Sequence, residues 1–129
     1  MSELIHTCYR VLDIERSVTF YESLGFSEIR RMPIRDEAIN VFMGLEGDGP
    51  RLELTWNRDR KEPYEIGTGY GHIAITVDDL DSTLAQLAVE GIEPERPPYS
   101  VREGGSRLCF VRDPDEYRIE LIERDPGND

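Results

Sequence analysis

Apolar and polar residues alternate in two short stretches, 4–11 and 72–77, and both are rich in β-branched or aromatic side chains. This period of two predicts half-buried β-strands. After each stretch the apolar residues recur at helical spacing, which predicts a helix. Each predicted helix lies between a capping aspartate and a terminating glycine: Asp13 and Gly25 in the first case, Asp79 and Gly91 in the second.

The two stretches open an internal repeat. Residues 5–26 align with 71–92 without a gap, at a constant offset of 66, and residues 40–44 align with 107–111 at an offset of 67. Three short strands are predicted after each helix: 26–30, 38–44 and 51–56 in the first half, and a weak strand near Ile92, 106–111 and 117–123 in the second. The repeated unit is therefore β-α-β-β-β.

This repeat predicts an α+β fold in which two tandem βαβββ modules form mixed, curved sheets. The modules span residues 4–57 and 70–124, the polar segment 58–69 links them, and together they form a single domain over 1–129. Residues 125–129 are predicted to be a frayed tail.

The composition disfavours several classes of partner. Of 129 residues, 15 are Lys or Arg and 27 are Asp or Glu, a net charge of −12 without a basic stripe, so nucleic acid and membrane partners are not expected. No stretch approaches the about 20 apolar residues of a membrane span, and the first residues lack a leader pattern, so we expect a cytoplasmic protein. Cys8 and Cys109 form no CxxC motif; buried free thiols are expected, and a single disulfide is the alternative.

Four side chains with metal-binding chemistry recur at matching positions of the repeat. The two histidines, His6 and His72, both fall on the first predicted strand of a half, and Glu53 and Glu120 lie between apolar residues on the last strands. Strand alternation places them opposite the apolar core positions, on the concave face of the sheet. Two imidazoles and two carboxylates in one cavity form a mixed site for Ni²⁺, Co²⁺, Zn²⁺, Mn²⁺ or Fe²⁺.

Further polar residues share the face of the first pair. Arg10 follows His6 on the first strand, and Asn57 follows Glu53 on the last. Both suit a substrate carboxylate or amide, and an ordinary solvent-exposed position is the alternative. Cys8 lies on the same face, but no third histidine remains to activate a catalytic thiol.

Three blocks of the chain carry motifs that occur together in one family. They are His6-Thr7 with Arg10-Val11, Phe20-Tyr21 and Leu24-Gly25-Phe26; Glu53-Leu54-Thr55 with Asn57 and Tyr70-Gly71-His72; and Asp113-Pro114-Asp115 with Glu120-Leu121-Ile122-Glu123. Together they resemble glyoxalase I, the lactoylglutathione lyases of the vicinal oxygen chelate superfamily. The resemblance covers nearly the whole chain.

The resemblance implies roles for six residues. The metal ligands are His6, Glu53, His72 and Glu120, and the contacts to the glutathione part of the substrate are Arg10 and Asn57. It also implies a homodimer with both metal sites at the interface, each built from the first pair of one chain and the second pair of the other. The compact length is similar to that of bacterial forms that prefer Ni²⁺ or Co²⁺ to Zn²⁺.

The implied reaction isomerises the hemithioacetal of methylglyoxal and glutathione to S-lactoylglutathione through an enediolate. Glu120 is assigned as the proton shuttle, because it lies between apolar residues in the half without polar partners. Glu53 shares its strand with Asn57 and serves mainly as a ligand. Glu116 and Arg102-Glu103-Gly104-Gly105 depart from the family pattern, so mycothiol or bacillithiol is an alternative to glutathione.

Three other functions of related proteins are weighed against the lyase. Methylmalonyl-CoA epimerase typically carries glutamine at the position of Glu53. Extradiol dioxygenases need a further histidine, which this chain lacks. A metal-free drug-binding module of the bleomycin-resistance kind generally lacks the four ligands. The lyase is therefore the favoured interpretation.

Overall fold

The computed structural model describes residues 1–124, and the tail predicted at 125–129 lies outside them. The described elements are β1 (Thr7–Val11), α1 (Ile14–Ser23), β2 (Ser27–Ile34), β3 (Ala38–Gly44), β4 (Leu52–Asn57), β5 (Ile73–Val77), α2 (Leu80–Val89), β6 (Leu108–Arg112) and β7 (Arg118–Glu123). They form two compact units, Met1–Glu65 and a second that begins at Ile66. This division falls within the predicted linker, 58–69; the module boundaries stay a prediction.

The first unit is a four-stranded mixed sheet with the order β1-β4-β3-β2. Strands β1 and β4 are parallel, and the other neighbours are antiparallel. Its core is built from the alternate side chains of β1 and β4 together with the apolar face of α1. Tyr9, Val11, Leu54 and Tyr21 are buried there, as the alternation predicts.

The second unit repeats this pairing in a three-stranded sheet with the order β5-β7-β6. Strands β5 and β7 are parallel, and β6 runs antiparallel to β7. The register is the same in both units, since Cys8 lies opposite Glu53 and Ala74 lies opposite Glu120. The predicted α+β class with mixed sheets is therefore confirmed.

The predicted weak strand near Ile92 is wrong, because this part of the described chain forms no strand. The amide N–H that a strand ladder needs is missing at three prolines of the segment: Pro94, Pro97 and Pro98. What remains is an isolated bridge between Tyr99 and Leu108. The second unit is thus βαββ, and the strand that follows the helix in the first unit is reduced here to this single bridge.

Both predicted helices begin and end where their capping residues indicate. The Asp13 side chain accepts a hydrogen bond from the amide of Arg16, and the Asp79 side chain accepts one from the amide of Ser82. Gly25 after the first helix has φ +104°, a conformation that a side chain disfavours. Each helix has ten residues, and within residues 1–124 no helix is long and apolar enough to cross a membrane.

The start of α2 has a second cap from the neighbouring strand. The Glu123 Oε2 atom on β7 accepts a hydrogen bond of 2.9 Å from the amide of Leu80, the first residue of the helix. The guanidinium of Arg107 bonds both oxygens of the same carboxylate. The pKa of Glu123 is held below its ordinary value mainly by the hydrogen bonds from Arg107, and to a smaller extent by the bond from the Leu80 amide.

Replacing Glu123 by Gln is expected to lower the free energy of unfolding at pH 7 by about 1–2 kcal/mol, because both charge-assisted bonds weaken. The pKa of Glu123 is lower in the folded protein than in the unfolded chain. Its contribution is therefore complete above the ordinary glutamate pKa of about 4.3 and is lost as the pH falls through the folded value. Urea unfolding at pH 7 and pH 3 measures this difference. The exposed turn residue Glu46, changed to Gln, is the control; an equal deficit of Glu123→Gln at both pH values would contradict the assignment.

Candidate metal centre

Each histidine lies one residue before a strand and contacts the glutamate of the parallel neighbour. His6 and His72 precede β1 and β5, so their predicted place on the strands is wrong by one residue. The distance from Nε2 to the glutamate Oε1 is 3.2 Å for His6 and Glu53, and 3.0 Å for His72 and Glu120. The structure thus forms the same pair once in each unit.

The two pairs also have nearly equal exposure. The imidazoles are 35% and 36% exposed, and the carboxylates of Glu53 and Glu120 are 14% and 15% exposed. Two ligand atoms about 2.1 Å from one ion and about 90° apart would be separated by about 3.0 Å. Each pair therefore offers one nitrogen and one oxygen at a spacing that fits a divalent metal.

Each cluster of metal-binding side chains contains only the two members of one His–Glu pair in the described residues 1–124. Among residues 1–124 there is no group of three or more His, Cys, Asp or Glu side chains placed to hold an ion. Each unit brings half of the four-ligand set that the sequence predicts.

Each imidazole packs against a phenylalanine whose ring faces an arginine. His6 meets Phe42 edge-on, with ring centroids 5.6 Å apart, and His72 meets Phe110 in the same way at 5.0 Å. A guanidinium lies over the face of each phenylalanine, 4.5 Å and 3.9 Å from the centroid: Arg30 in the first unit and Arg118 in the second. These contacts restrict the rotation of the imidazoles.

The phenylalanines reveal an error of one residue in the predicted repeat. Phe42 lies opposite Glu53, and Phe110 lies opposite Glu120, so β3 and β6 correspond at an offset of 68 rather than 67. The connection between these paired positions is one residue shorter in the second unit. Sequence reasoning missed both aromatic rings for this reason.

The surroundings of the two carboxylates differ. Thr55 lies on the strand of Glu53, and its Oγ1 is 3.3 Å from Glu53 Oε2 and 2.9 Å from the Asn40 side-chain oxygen. The Cys8 Sγ is 3.4 Å from the same hydroxyl. In register with these positions, the second unit carries only apolar side chains: Ala74, Leu108 and Ile122. A polar residue within the apolar strand β3, Asn40, is the sequence signal that was missed.

The predicted substrate residues lie beside the first pair. Arg10 is exposed on β1, opposite Thr55. The Nδ2 atom of Asn57, at the end of β4, lies 3.4 Å from the Tyr64 hydroxyl and donates to it. A cavity of 370 Å³ next to His6 has both apolar walls and arginine side chains; it includes Ile5, Arg30, Phe42, Pro50 and Arg51. The roles of Arg10 and Asn57 toward a substrate stay predictions.

Both cysteines are free thiols. Cys109 is buried as predicted, and burial raises its pKa to about 11. Cys8 is exposed, so the prediction that it is buried is wrong. It precedes Tyr9 on an edge strand whose inward positions are Tyr9 and Val11, which leaves Cys8 on the outward face.

Comparison with known proteins agrees with this geometry. Residues 3–121 match the family described as the Glyoxalase/Bleomycin resistance protein/Dioxygenase superfamily. The chain belongs to this superfamily. The glyoxalase resemblance of the sequence motifs is thereby confirmed.

Several members of the superfamily resemble the chain along nearly all of its length. It is 37% identical over 127 residues to a probable chloroplastic lactoylglutathione lyase of Arabidopsis thaliana, covering 95% of the chain and 36% of that relative. It is 37% identical over 130 residues to a lactoylglutathione lyase of Neisseria meningitidis, covering 98% and 94%. The chain spans 36–44% of the length of the plant relatives that it matches.

A solved structure of the superfamily has a similar fold. It is the Leishmania major glyoxalase I, described as trypanothione-dependent, with a TM-score of 0.80 and 34% identity. The match covers 95% of this chain and 87% of that one.

One turn of the chain departs from the pattern expected for glyoxalase I, which commonly has glycine where Glu116 stands. Glu116 has φ +77°, a left-handed conformation that costs a side chain about 1–2 kcal/mol relative to the right-handed one. The buried Asp113 carboxylate holds the turn by accepting hydrogen bonds from the amides of Asp115 and Tyr117. These bonds hold the turn although position 116 carries a glutamate and not a glycine.

Proposed function

We propose that the protein is a cytoplasmic, metal-dependent glyoxalase I. Its substrate is the hemithioacetal of methylglyoxal and a thiol, with glutathione favoured, and its product is the S-lactoyl thioester. The observation that carries this proposal is the duplicated pair, His6 with Glu53 and His72 with Glu120, at 3.2 Å and 3.0 Å. The similarity to proteins named lactoylglutathione lyase supports it.

The four side chains of the two pairs would hold one divalent ion, with Ni²⁺ or Co²⁺ favoured and Zn²⁺ as the alternative. In the proposed homodimer, the first pair of one chain and the second pair of the other form each site. Such an ion would supply Lewis acidity that stabilises negative charge developing on the substrate.

The remaining chemistry belongs to protein side chains. Glu120 takes the proton from C1 of the substrate and returns it to C2, while the hydroxyl proton on the C1 oxygen passes to the C2 oxygen, so the isomerisation has no net gain or loss of protons. Arg10 and Asn57 hold the thiol part. Arg30, which lines the cavity beside His6 together with Glu3, provides positive charge for a substrate carboxylate, whereas the charge of Arg51 in the same wall is paired with Asp48.

Removal of the metal is expected to abolish lyase activity, and reconstitution is expected to restore it at one ion per chain. Elemental analysis and assays on hemithioacetals of glutathione, mycothiol and bacillithiol, after loading with Ni²⁺, Co²⁺ or Zn²⁺, measure both. His72→Ala should bind metal far more weakly than the parent, because one of four ligands is missing. Full activity of chelator-stripped protein, or parental metal affinity of His72→Ala, would contradict the site.

Mixed dimers test whether each site is shared between chains. A dimer of one His6→Ala chain and one His72→Ala chain should keep one intact site and about half of the parental activity, since both changes fall in the same site. A dimer of His6→Ala and Glu53→Ala chains is the matched control, because each change damages a different site and no activity should return. Equal inactivity of both mixed dimers would overturn the shared arrangement.

The two glutamates are expected to respond differently to loss of charge. A missing general base costs about 10²–10⁴-fold in rate, so Glu120→Gln should retain metal and lose kcat by that order, with little change in KM. Glu53→Gln should chiefly weaken metal binding and recover when metal is in excess. Metal-saturated kinetics of both variants measure this. A collapse of Glu53→Gln beside a nearly parental Glu120→Gln would reverse the assignment.

A further inference from the structure

The two His–Glu pairs share the imidazole contact and the aromatic neighbour, and they differ in the side chains around the second carboxylate oxygen. Their nitrogen-to-oxygen distances are 3.2 Å and 3.0 Å, and the side chains of Glu53 and Glu120 are 14% and 15% exposed. A phenylalanine ring packs against each imidazole. The difference lies at the second carboxylate oxygen, because Glu53 Oε2 meets the Thr55 hydroxyl and the position in register beside Glu120 is Ile122.

We propose that Thr55 and Asn40 are positioning residues that fix Glu53 as a permanent ligand, so that proton transfer is left to Glu120. This inference rests on the proposed lyase function and names the device that makes two symmetric glutamates unequal. Removing the Thr55 hydroxyl, which Asn40 orients, would free the second oxygen of Glu53. Supplying a hydroxyl beside Glu120 would restrain the shuttle.

The chemistry of the three groups suits this role. A hydroxyl has a single proton, and Thr55 lies within reach of two acceptors, Asn40 Oδ1 and Glu53 Oε2. In the structure, the hydroxyl donates to Asn40 Oδ1 at 2.9 Å; a half-turn of the Asn40 amide would present its NH₂ to Thr55 and leave the hydroxyl proton to the carboxylate. A bond to an ionised carboxylate that is mostly shielded from water is about twice as strong as a neutral one.

The second unit lacks each part of this network. In register with Cys8, Asn40 and Thr55 it has Ala74, Leu108 and Ile122. These side chains offer Glu120 no hydrogen-bond donor. Glu120 contacts His72 through Oε1 and interacts electrostatically with Arg118, but no side chain at these three positions restrains its second oxygen, which suits a proton shuttle.

The first arm of the test removes the hydroxyl without changing the shape of the side chain. Thr55→Val should raise the Kd for Co²⁺ about 10-fold or more, the usual cost of losing a group that orients a ligand. Binding is followed by Co²⁺ absorption on the full-length protein, which needs no turnover. Thr55→Ser, which restores the hydroxyl, should return the Kd to near the parental value, and at saturating metal Thr55→Val should keep most of its kcat.

The second arm transfers the hydroxyl to the other unit. Ile122→Thr should lower kcat about 10-fold while leaving the Kd for Co²⁺ parental or tighter, because Glu120 is then held as Glu53 is. Ile122→Val is the matched control, since it has the size of threonine without the hydroxyl and should keep the parental kcat. Circular dichroism checks that each variant is folded.

The outcomes separate this inference from the proposed function. If the parent binds Co²⁺ and isomerises the hemithioacetal, but Thr55→Val keeps the parental Kd or Ile122→Thr matches Ile122→Val in kcat, the positioning role is wrong and the lyase stands. If the parent has no lyase activity with any thiol, the proposed function fails, and equal Co²⁺ Kd values of Thr55→Val and Thr55→Ser would then reject the positioning role independently.

Discussion

The parallel pairing of the first and last strands in each unit is the interaction on which the candidate site depends. It places the residue before β1 or β5 diagonally across from a glutamate on the neighbouring strand, in the same register both times. A slip of one residue would turn the glutamate toward the apolar core. Burial of Leu52, Leu54, Ile119 and Leu121 on the inward face therefore fixes the outward positions of Glu53 and Glu120.

The same chemistry is supported differently in the two units. The first unit takes the arginine over its phenylalanine from β2, whereas the second, which has no strand there, takes it from β7. Glu95 holds this Arg118 in place through hydrogen bonds of 2.8 Å and 2.9 Å. The imidazole environment is thus preserved although the strand that supplies it in the first unit is absent from the second.

The alternation of apolar residues, the capping aspartates and the repeat were enough to predict both helices, the mixed sheets and the shared face of each histidine and glutamate; the assignment of one pair to each half of a site came from the family resemblance. These features depend on local spacing, which a sequence displays directly. The phenylalanine positions and the contact of Asn40 with Thr55 depend on strand register across a hairpin of unknown length, and spacing alone does not determine it. The three prolines that follow Ile92 already indicate in the sequence that no regular strand forms there.

Those prolines have a consequence for the solubility of the fold. The segment that contains them covers the outer side of β6 through backbone bonds at Glu95 and Tyr99, and Pro97 and Pro98 between them have no amide to donate. A strand from another chain therefore meets backbone groups of β6 that are already bonded to the segment, and the segment itself lacks a continuous row of amide donors. The β6 edge of the sheet is thus protected from edge-to-edge pairing without a full strand.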